Sequence, residues 1–225
     1  MNSYELTFYD QLLKFQLFQG LSRTELLQMT GSTKFGFTKL APAKTLLRDG
    51  DECRQLFFLV GGSIRLTTQS DDRAYAVTEQ LNAPWLLQPE TLFGAQPRYT
   101  CTVVTATEAH FISLSKDEVL RLLDEFFIFR LNLLNLLATQ SQRSSRRPWR
   151  RASASLRERV VRFMLDHSVY PAGHKEIRIL MTRLALEVGD SRLDVSRVLN
   201  QMQAESLVEL HRGRIVVPSL ERLFM

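Results

Sequence analysis

The chain has 225 residues, 44% of them hydrophobic and 24% charged, which is the balance of a folded soluble protein and excludes a collagen-like, disordered or disulfide-stapled class. Its formal charge of +5 is unevenly placed: residues 1–140 carry 13 Lys and Arg against 15 Asp and Glu, while residues 141–225 carry 16 against 9. A basic C-terminal part suits contact with phosphates or with an anionic membrane surface, and pattern must decide between them.

At this length two domains joined by a structured connector are expected. The longest apolar run, Phe126 to Ala138, is broken by Arg130 and falls short of the roughly 20 residues that span a bilayer, so no membrane span is expected. The opening MNSYELTFYDQL places Glu5 and Asp10 where a secretory signal is basic and then apolar, so the expected location is cytoplasmic. Cys53 and Cys101 lie far apart without a Cys-x-x-Cys spacing, which argues against a thiolate metal cluster and for reduced, partly buried thiols.

The first 30 residues show helical apolar spacing and a capping box, Ser22-Arg23-Thr24-Glu25. From Thr33 to Ser115 short β-rich runs follow: Thr45–Arg48, Leu56–Val60, Ser63–Thr68, Tyr75–Gln80, Tyr99–Thr105 and Phe111–Leu114. Gly61-Gly62 and Asp71-Asp72-Arg73 supply turn residues between them, and the set implies an antiparallel roll or barrel.

A second capping box, Ser115 to Glu118, opens one long amphipathic helix with apolar residues at Val119, Leu122, Phe126, Phe129, Leu133 and Leu136. A parallel stripe, Leu120, Leu123, Phe127, Leu134 and Leu137, widens the apolar arc beyond what one packing partner covers. A parallel dimer along residues 116–140 is expected, with Phe126 and Leu133 facing the partner; the other possibility is a fully buried helix of a monomer. The stretch RSSRRPWRR, residues 143–151, is expected to hinge at Pro148 and either contacts phosphate or is a solvated basic linker. Ser155-Leu156-Arg157-Glu158 then caps a helix running to His167.

Residues 181–202, MTRLALEVGDSRLDVSRVLNQM, have the spacing of a helix-turn-helix. Ala185 allows close helix approach, Gly189 allows a turn with positive φ, and Val195, Val198, Leu199 and Met202 form the buried face of the second helix. Leu193, Arg197 and Asn200 then fall on the opposite side, with Ser191 and Arg192 at its exposed N-terminal end, the end that a recognition helix inserts into the major groove. Val208–Leu210 and Arg214–Val217 flank His211-Arg212-Gly213 as the wing of a winged helix would.

Residues 46–66, LLRDGDECRQLFFLVGGSIRL, resemble the strand-turn-strand signature of cyclic-nucleotide-binding rolls. With the order roll, long helix, winged helix-turn-helix, the chain resembles the cyclic AMP receptor protein / fumarate–nitrate regulator (Crp/Fnr) family. The expected fold class is therefore α+β: an antiparallel β-roll over 1–115, a long dimerisation helix over 116–147 and a winged helix-turn-helix over 148–225. The resemblance implies a homodimeric transcription regulator that reads a palindromic site on double-stranded DNA, with RNA polymerase as a further partner. By position, Arg192 and Arg197 match DNA-contacting arginines of the family, and Thr182 and Arg183 match its phosphate-facing residues; Ser191, Leu193 and Ser196 complete the expected DNA-binding set. Leu193 departs from the glutamate usual in the activator subgroup, which changes the expected base preference.

The effector-type pocket departs further. Family members that bind cyclic AMP present a Gly-Glu pair to the ribose and an Arg-Ser pair to the phosphate. Here Glu90 follows Pro89, and Tyr99 falls at the phosphate-arginine position with Arg98 one step early and Thr100 after it. A one-residue slip along a strand turns a side chain to the other face. Ser144 and Ser145 match the family's hydroxyl pair on the long helix. The expectation is a degenerate pocket that does not take cyclic AMP, with an unknown small effector or none. His110 and Cys101 are the only nearby candidates for haem ligation, and an isolated histidine beside a strand is more often a surface residue; no cofactor, metal or enzymatic motif is expected. The alternative function is a ligand-sensing interaction module whose basic C-terminal part contacts protein or an anionic membrane.

Overall fold

The structure, a computed structural model, describes residues 3–146, 149 and 155–224, with side chains from residue 8 onward. The expected hinge at Pro148 lies outside the described residues. In chain order the first elements are α1 (Ser3–Leu12), α2 (Arg23–Ser32), β1 (Gly36–Leu40), β2 (Thr45–Leu47), β3 (Gln55–Gly61), β4 (Ser63–Gln69) and β5 (Tyr75–Asn82). Then come β6 (Trp85–Leu87), β7 (Thr102–Thr105), β8 (Ala109–Ser115), α3 (Lys116–Glu125) and α4 (Phe127–Arg146). The chain ends with α5 (Leu156–Asp166), β9 (Lys175–Ile179), α6 (Met181–Val188), α7 (Arg192–Ala204), β10 (Glu209–His211) and β11 (Arg214–Val217). This is the α+β class expected: an antiparallel roll, helices and a C-terminal winged helix-turn-helix.

By internal contacts the chain forms two compact units. The first comprises Met1–Ile64, Asn82–Tyr99 and Thr105–Arg150; the second comprises Arg65–Leu81, Thr100–Val104 and Arg151–Met225. In the first unit an antiparallel sheet runs β1-β8-β3-β6. Its core is aromatic, with Phe58 packed on Phe15 and Phe18 at centroid distances of 5.1 and 5.5 Å, and Phe18 packed on Phe129 at 5.5 Å. At the end of β3, Gly62 has φ +82°, and a Cβ there would lie 2.1 Å from the Glu108 carbonyl oxygen, so this turn accepts only glycine. The capping box at Ser22 is complete: its hydroxyl accepts from the Glu25 amide at 3.2 Å, and the Glu25 carboxylate accepts from the Ser22 amide at 2.8 Å. At Ser115 only the serine half forms, accepting from the Glu118 amide at 3.2 Å.

The helix expected to run unbroken over 116–147 is two helices. Phe126 is extended, with φ −118° and ψ 103°, and α4 begins at the next residue. Phe126, Phe129 and Leu133 are all buried in this unit. Burying a phenylalanine is worth about 1.5–3 kcal/mol, whereas the helix propensity lost at one position is below about 0.7 kcal/mol, so core packing outweighs helical continuity. Phe126 and Leu133 therefore do not face a partner as expected. The other stripe is free only in part: Phe127 is 62% and Leu134 59% exposed and Leu120 is in solvent, whereas Leu123 and Leu137 are half-buried. Asn132 fixes the start of α4 by donating to the Leu17 and Gln19 carbonyls at 3.2 and 2.7 Å.

In the second unit the strands are ordered β10-β11-β9-β5-β4-β7. β9, a strand not among those expected from sequence, pairs antiparallel with β5 over Tyr75–Glu79 on one side and with β11 on the other. Ile177 and Ile179 point from it into the core formed with Val160, Phe163, Met164, Leu184, Val195, Leu199 and Met202. Lys175 on β9 is fully buried, 0% exposed, beside Glu79 of β5 at 1%. The two meet at 2.7 Å, and Glu79 also accepts from the Val169 and Tyr170 amides at 2.5 and 3.1 Å, while Lys175 donates to the Ala172 carbonyl at 2.9 Å. This buried pair is hydrogen-bonded at both ends, the condition under which a desolvated ion pair persists.

Candidate nucleic-acid interface

The helix-turn-helix is built from its core outward. Leu184, Ala185 and Val188 of α6 and Val195, Leu199 and Met202 of α7 are buried together, with Val198 partly buried against them. Gly189 closes α6 in the left-handed region at φ +65°, and the Asp190 amide returns to the Ala185 carbonyl at 3.0 Å. No neighbour stands within 4 Å of where a Gly189 Cβ would be, so glycine is needed there for backbone conformation alone. From α5, Arg159 donates through Nε to the Val188 carbonyl at 2.8 Å and through Nη2 to the Asp190 carboxylate, tying the turn down. Arg157 ties the far end of α7 with a two-pronged ion pair to Glu205 at 2.7 and 2.6 Å. That bond holds the Glu205 carboxyl below its ordinary range and the Arg157 guanidinium above it.

With the buried face so fixed, α7 presents its expected residues to solvent. Ser191 is the N-cap, accepting from the Asp194 amide at 3.1 Å, and its hydroxyl donates to the Asp194 carboxylate at 2.6 Å. Arg192 is exposed and makes no ion pair among the described residues; Leu193 is 69% exposed. Arg197 is exposed one turn later, held at 2.6 Å by Asp194, and Ser196 is half-buried. An exposed helix N-terminus carrying two arginines and one aliphatic side chain can offer hydrogen bonds to guanine and an apolar contact to a thymine methyl.

On α6, Thr182 is exposed in the first turn. Arg183 is engaged: it reaches Asp72, on the turn between β4 and β5, at 2.9 Å and Glu187 at 2.6 Å, and lies over the Tyr75 ring at 5.7 Å. Its Nε is buried and finds no hydrogen-bond partner. From sequence Asp72 is expected only as a turn residue and Tyr75 only as the start of a strand, neither beside the helix-turn-helix. Both lie more than a hundred positions before Arg183, and only the pairing of β5 with β9 brings them there.

The pocket positions are a different matter. Tyr99 is buried, and its hydroxyl donates to the Gln55 carbonyl at 2.7 Å. Arg98 faces outward and donates to the Gly50 carbonyl at 2.8 Å. Glu90 is exposed on the short 3-10 helix Pro89–Thr91, Thr100 is exposed, and Ser144 and Ser145 are exposed near the end of α4. Cys53 and Cys101 are both buried. Among the described residues no cluster of three or more His, Cys, Asp or Glu side chains is placed to hold a metal, and no helix is long and apolar enough to cross a membrane.

Comparison with known proteins fits this arrangement. The cyclic nucleotide-binding domain family matches residues 37–126, and the Crp-like helix-turn-helix domain family matches residues 158–224. The cAMP-activated global transcriptional regulator CRP of Haemophilus influenzae is 22% identical over 182 residues, covering 78% of this chain and 81% of its own. The cAMP-activated global transcriptional regulator Vfr of Pseudomonas aeruginosa is 26% identical over 184 residues, covering 77% of this chain and 85% of its own. The structure of the Thermus thermophilus catabolite activator protein superposes with a TM-score of 0.54 at 22% identity, over 93% of this chain and 97% of that one, a likeness of fold. With both halves of the pattern matched in order, roll first and helix-turn-helix second, the chain belongs to the Crp/Fnr family of transcription regulators.

Proposed function

We propose that the chain is a homodimer that reads a palindromic operator on double-stranded DNA and regulates transcription without taking cyclic AMP as its effector. One observation carries this reading: Ser191, Arg192, Leu193 and Arg197 stand in solvent at the N-terminal end of a helix whose opposite face is locked in a core. Arg192 and Arg197 are the base readers or adjacent phosphate contacts, Leu193 packs against a thymine methyl, and Thr182 and Arg183 engage phosphate. The partly free apolar stripe on α3 and α4, led by Phe127 and Leu134, supports pairing of two chains. Two copies related by a twofold axis read inverted half-sites, and RNA polymerase is the further partner through which such a complex acts.

The CRP and Vfr relatives named above are cAMP-activated. Here a neutral tyrosine, buried and with its hydroxyl already used, occupies the position of the phosphate arginine, and Arg98 lies on the outward side. A buried phosphate needs a charge-assisted partner, which supports exclusion of the cyclic nucleotide.

Selection of binding sites from random duplex DNA by the full chain tests the reading. The expected result is a palindrome with half-sites about one helical turn apart. Recovery of no preferred sequence, together with retention on anionic vesicles, would instead support an interaction module acting at protein or membrane surfaces. For the dimer, Phe127→Glu or Leu134→Glu is expected to yield monomers by light scattering; a wild-type chain already monomeric at micromolar concentration would remove that part.

A further inference from the structure

The hairpin formed by β4 and β5 is clasped to the winged helix at three levels. Five residue pairs join β5 to β9, from Tyr75 opposite Ile179 to Glu79 opposite Lys175. The buried Glu79–Lys175 pair closes one end, and the Tyr75 hydroxyl meets His167 Nε2 at 2.9 Å. Beyond Tyr75 the hairpin turn, with Arg73 at φ +55°, sets Asp72 against Arg183. Asp72 is itself held in place: its carboxylate accepts from the Ser70 hydroxyl at 2.7 Å and the Ala74 amide at 3.0 Å. Those bonds, more than Arg183, keep the Asp72 carboxyl below its ordinary range, so it is ionised at neutral pH.

We infer that the hairpin turn is a built-in competitor of DNA, in which the Asp72 carboxylate takes the place of a backbone phosphate on Arg183. This inference rests on the DNA-binding reading and adds to it a regulatory contact. A carboxylate and a phosphate oxygen make the same charge-assisted bonds to a guanidinium, so the two compete for one fork. Arg183 divides its donors, Nη1 to Asp72 and Nη2 to Glu187, so the Nη1 bond is the one for which a phosphate oxygen competes with Asp72. The pair is partly exposed, so phosphate can displace it. Because β5 is locked to β9, the displaced Asp72 stays beside the phosphate path and weakens binding to every duplex alike. A movement that peels the β4–β5 turn away would remove this opposition.

Asp72→Asn tests this cleanly, since asparagine keeps an oxygen for Ser70 and Ala74 and loses only the charge. Affinity of the full chain for mixed-sequence duplex DNA at low salt is measured for wild type, Asp72→Asn, the neighbouring Asp71→Asn, Arg183→Gln, and Arg183→Gln with Asp72→Asn. Asp72→Asn is expected to bind about two- to fivefold more tightly, the range of an exposed ion pair. Asp71→Asn is expected to bind as wild type does, and the Asp72 gain to vanish in the Arg183→Gln background. An equal gain from Asp71→Asn, or a gain that persists without Arg183, would overturn the inference in favour of a general charge effect. Unchanged affinity in Asp72→Asn would overturn it while leaving DNA binding intact, and failure of every protein to bind would overturn both together.

Discussion

The resemblance puts residues expected to touch a phosphate-bearing ligand both at the start of α7 and at residues 98–100. On α7 Arg192 and Arg197 are exposed, Arg197 beside Asp194; at residues 98–100 Tyr99 is buried with its hydroxyl on the Gln55 carbonyl, and Arg98 is exposed with a bond to the Gly50 carbonyl. The difference lies in how each site is specified. A helix whose buried positions are fixed at Val195, Leu199 and Met202 has its outward positions fixed as well, so a substitution such as Leu193 changes what is read and not where the reader stands. Residues 98–100 precede β7, with Arg98 in an isolated bridge to Glu52, so the expected strand Tyr99–Thr105 begins only at Thr102 and facing here is set by single hydrogen bonds such as Tyr99 to Gln55.

The largest effect that would separate scaffold from reader comes from Lys175→Met. It leaves Glu79 buried without its cation and is expected to cost about 3–5 kcal/mol in denaturant unfolding, whereas Lys175→Met with Glu79→Leu should recover most of that loss. If the single variant proves as stable as wild type, the buried pair is no part of what holds the helix-turn-helix up.

Next in size, Arg192→Ala is expected to lose about 1–3 kcal/mol of discrimination at one base of each half-site, read by binding-site profiling. Leu193→Glu should alter which base is preferred at an adjacent position, because a carboxylate accepts from cytosine and a leucine cannot. Uniform losses across all sequences for both variants would reduce α7 to a nonspecific basic surface.

Gly189→Ala should cost about 1–2 kcal/mol of stability through left-handed strain alone, since the added methyl meets nothing. Its unfolding midpoint should fall while the profile of preferred bases stays that of wild type. The smallest change belongs to the other region: Tyr99→Phe should cost about 1 kcal/mol for the hydrogen bond to Gln55 and leave DNA affinity unchanged. Calorimetric titration of the wild type with cyclic AMP should show no saturable heat at millimolar nucleotide; micromolar affinity abolished by Arg98→Ala would restore the pocket.

Much of this was legible in the sequence because the informative residues act locally. Ala185, Gly189 and the Val195–Met202 stripe sit within one motif, and the serine caps at 22, 115 and 155 each bond a backbone amide three residues on. What escaped depends on distant partners. The break at Phe126 is decided by core packing and not by any helix breaker. β9 carried a strand signal, Ile177 and Ile179 alternating with Glu176 and Arg178, yet nothing local shows that Lys175 is buried, because its partner Glu79 lies 96 positions away. The same long-range pairing hides Asp72 from any reading of the helix-turn-helix alone.

Arg159 reaches from α5 to both sides of the turn between α6 and α7, so three helices are fastened at one point by a side chain that is not among the expected DNA contacts. The reading head is thus assembled before any duplex arrives. Association then orders no helix, and the negative heat-capacity change of binding should follow only the surface buried in the groove, without the larger contribution that accompanies folding upon binding.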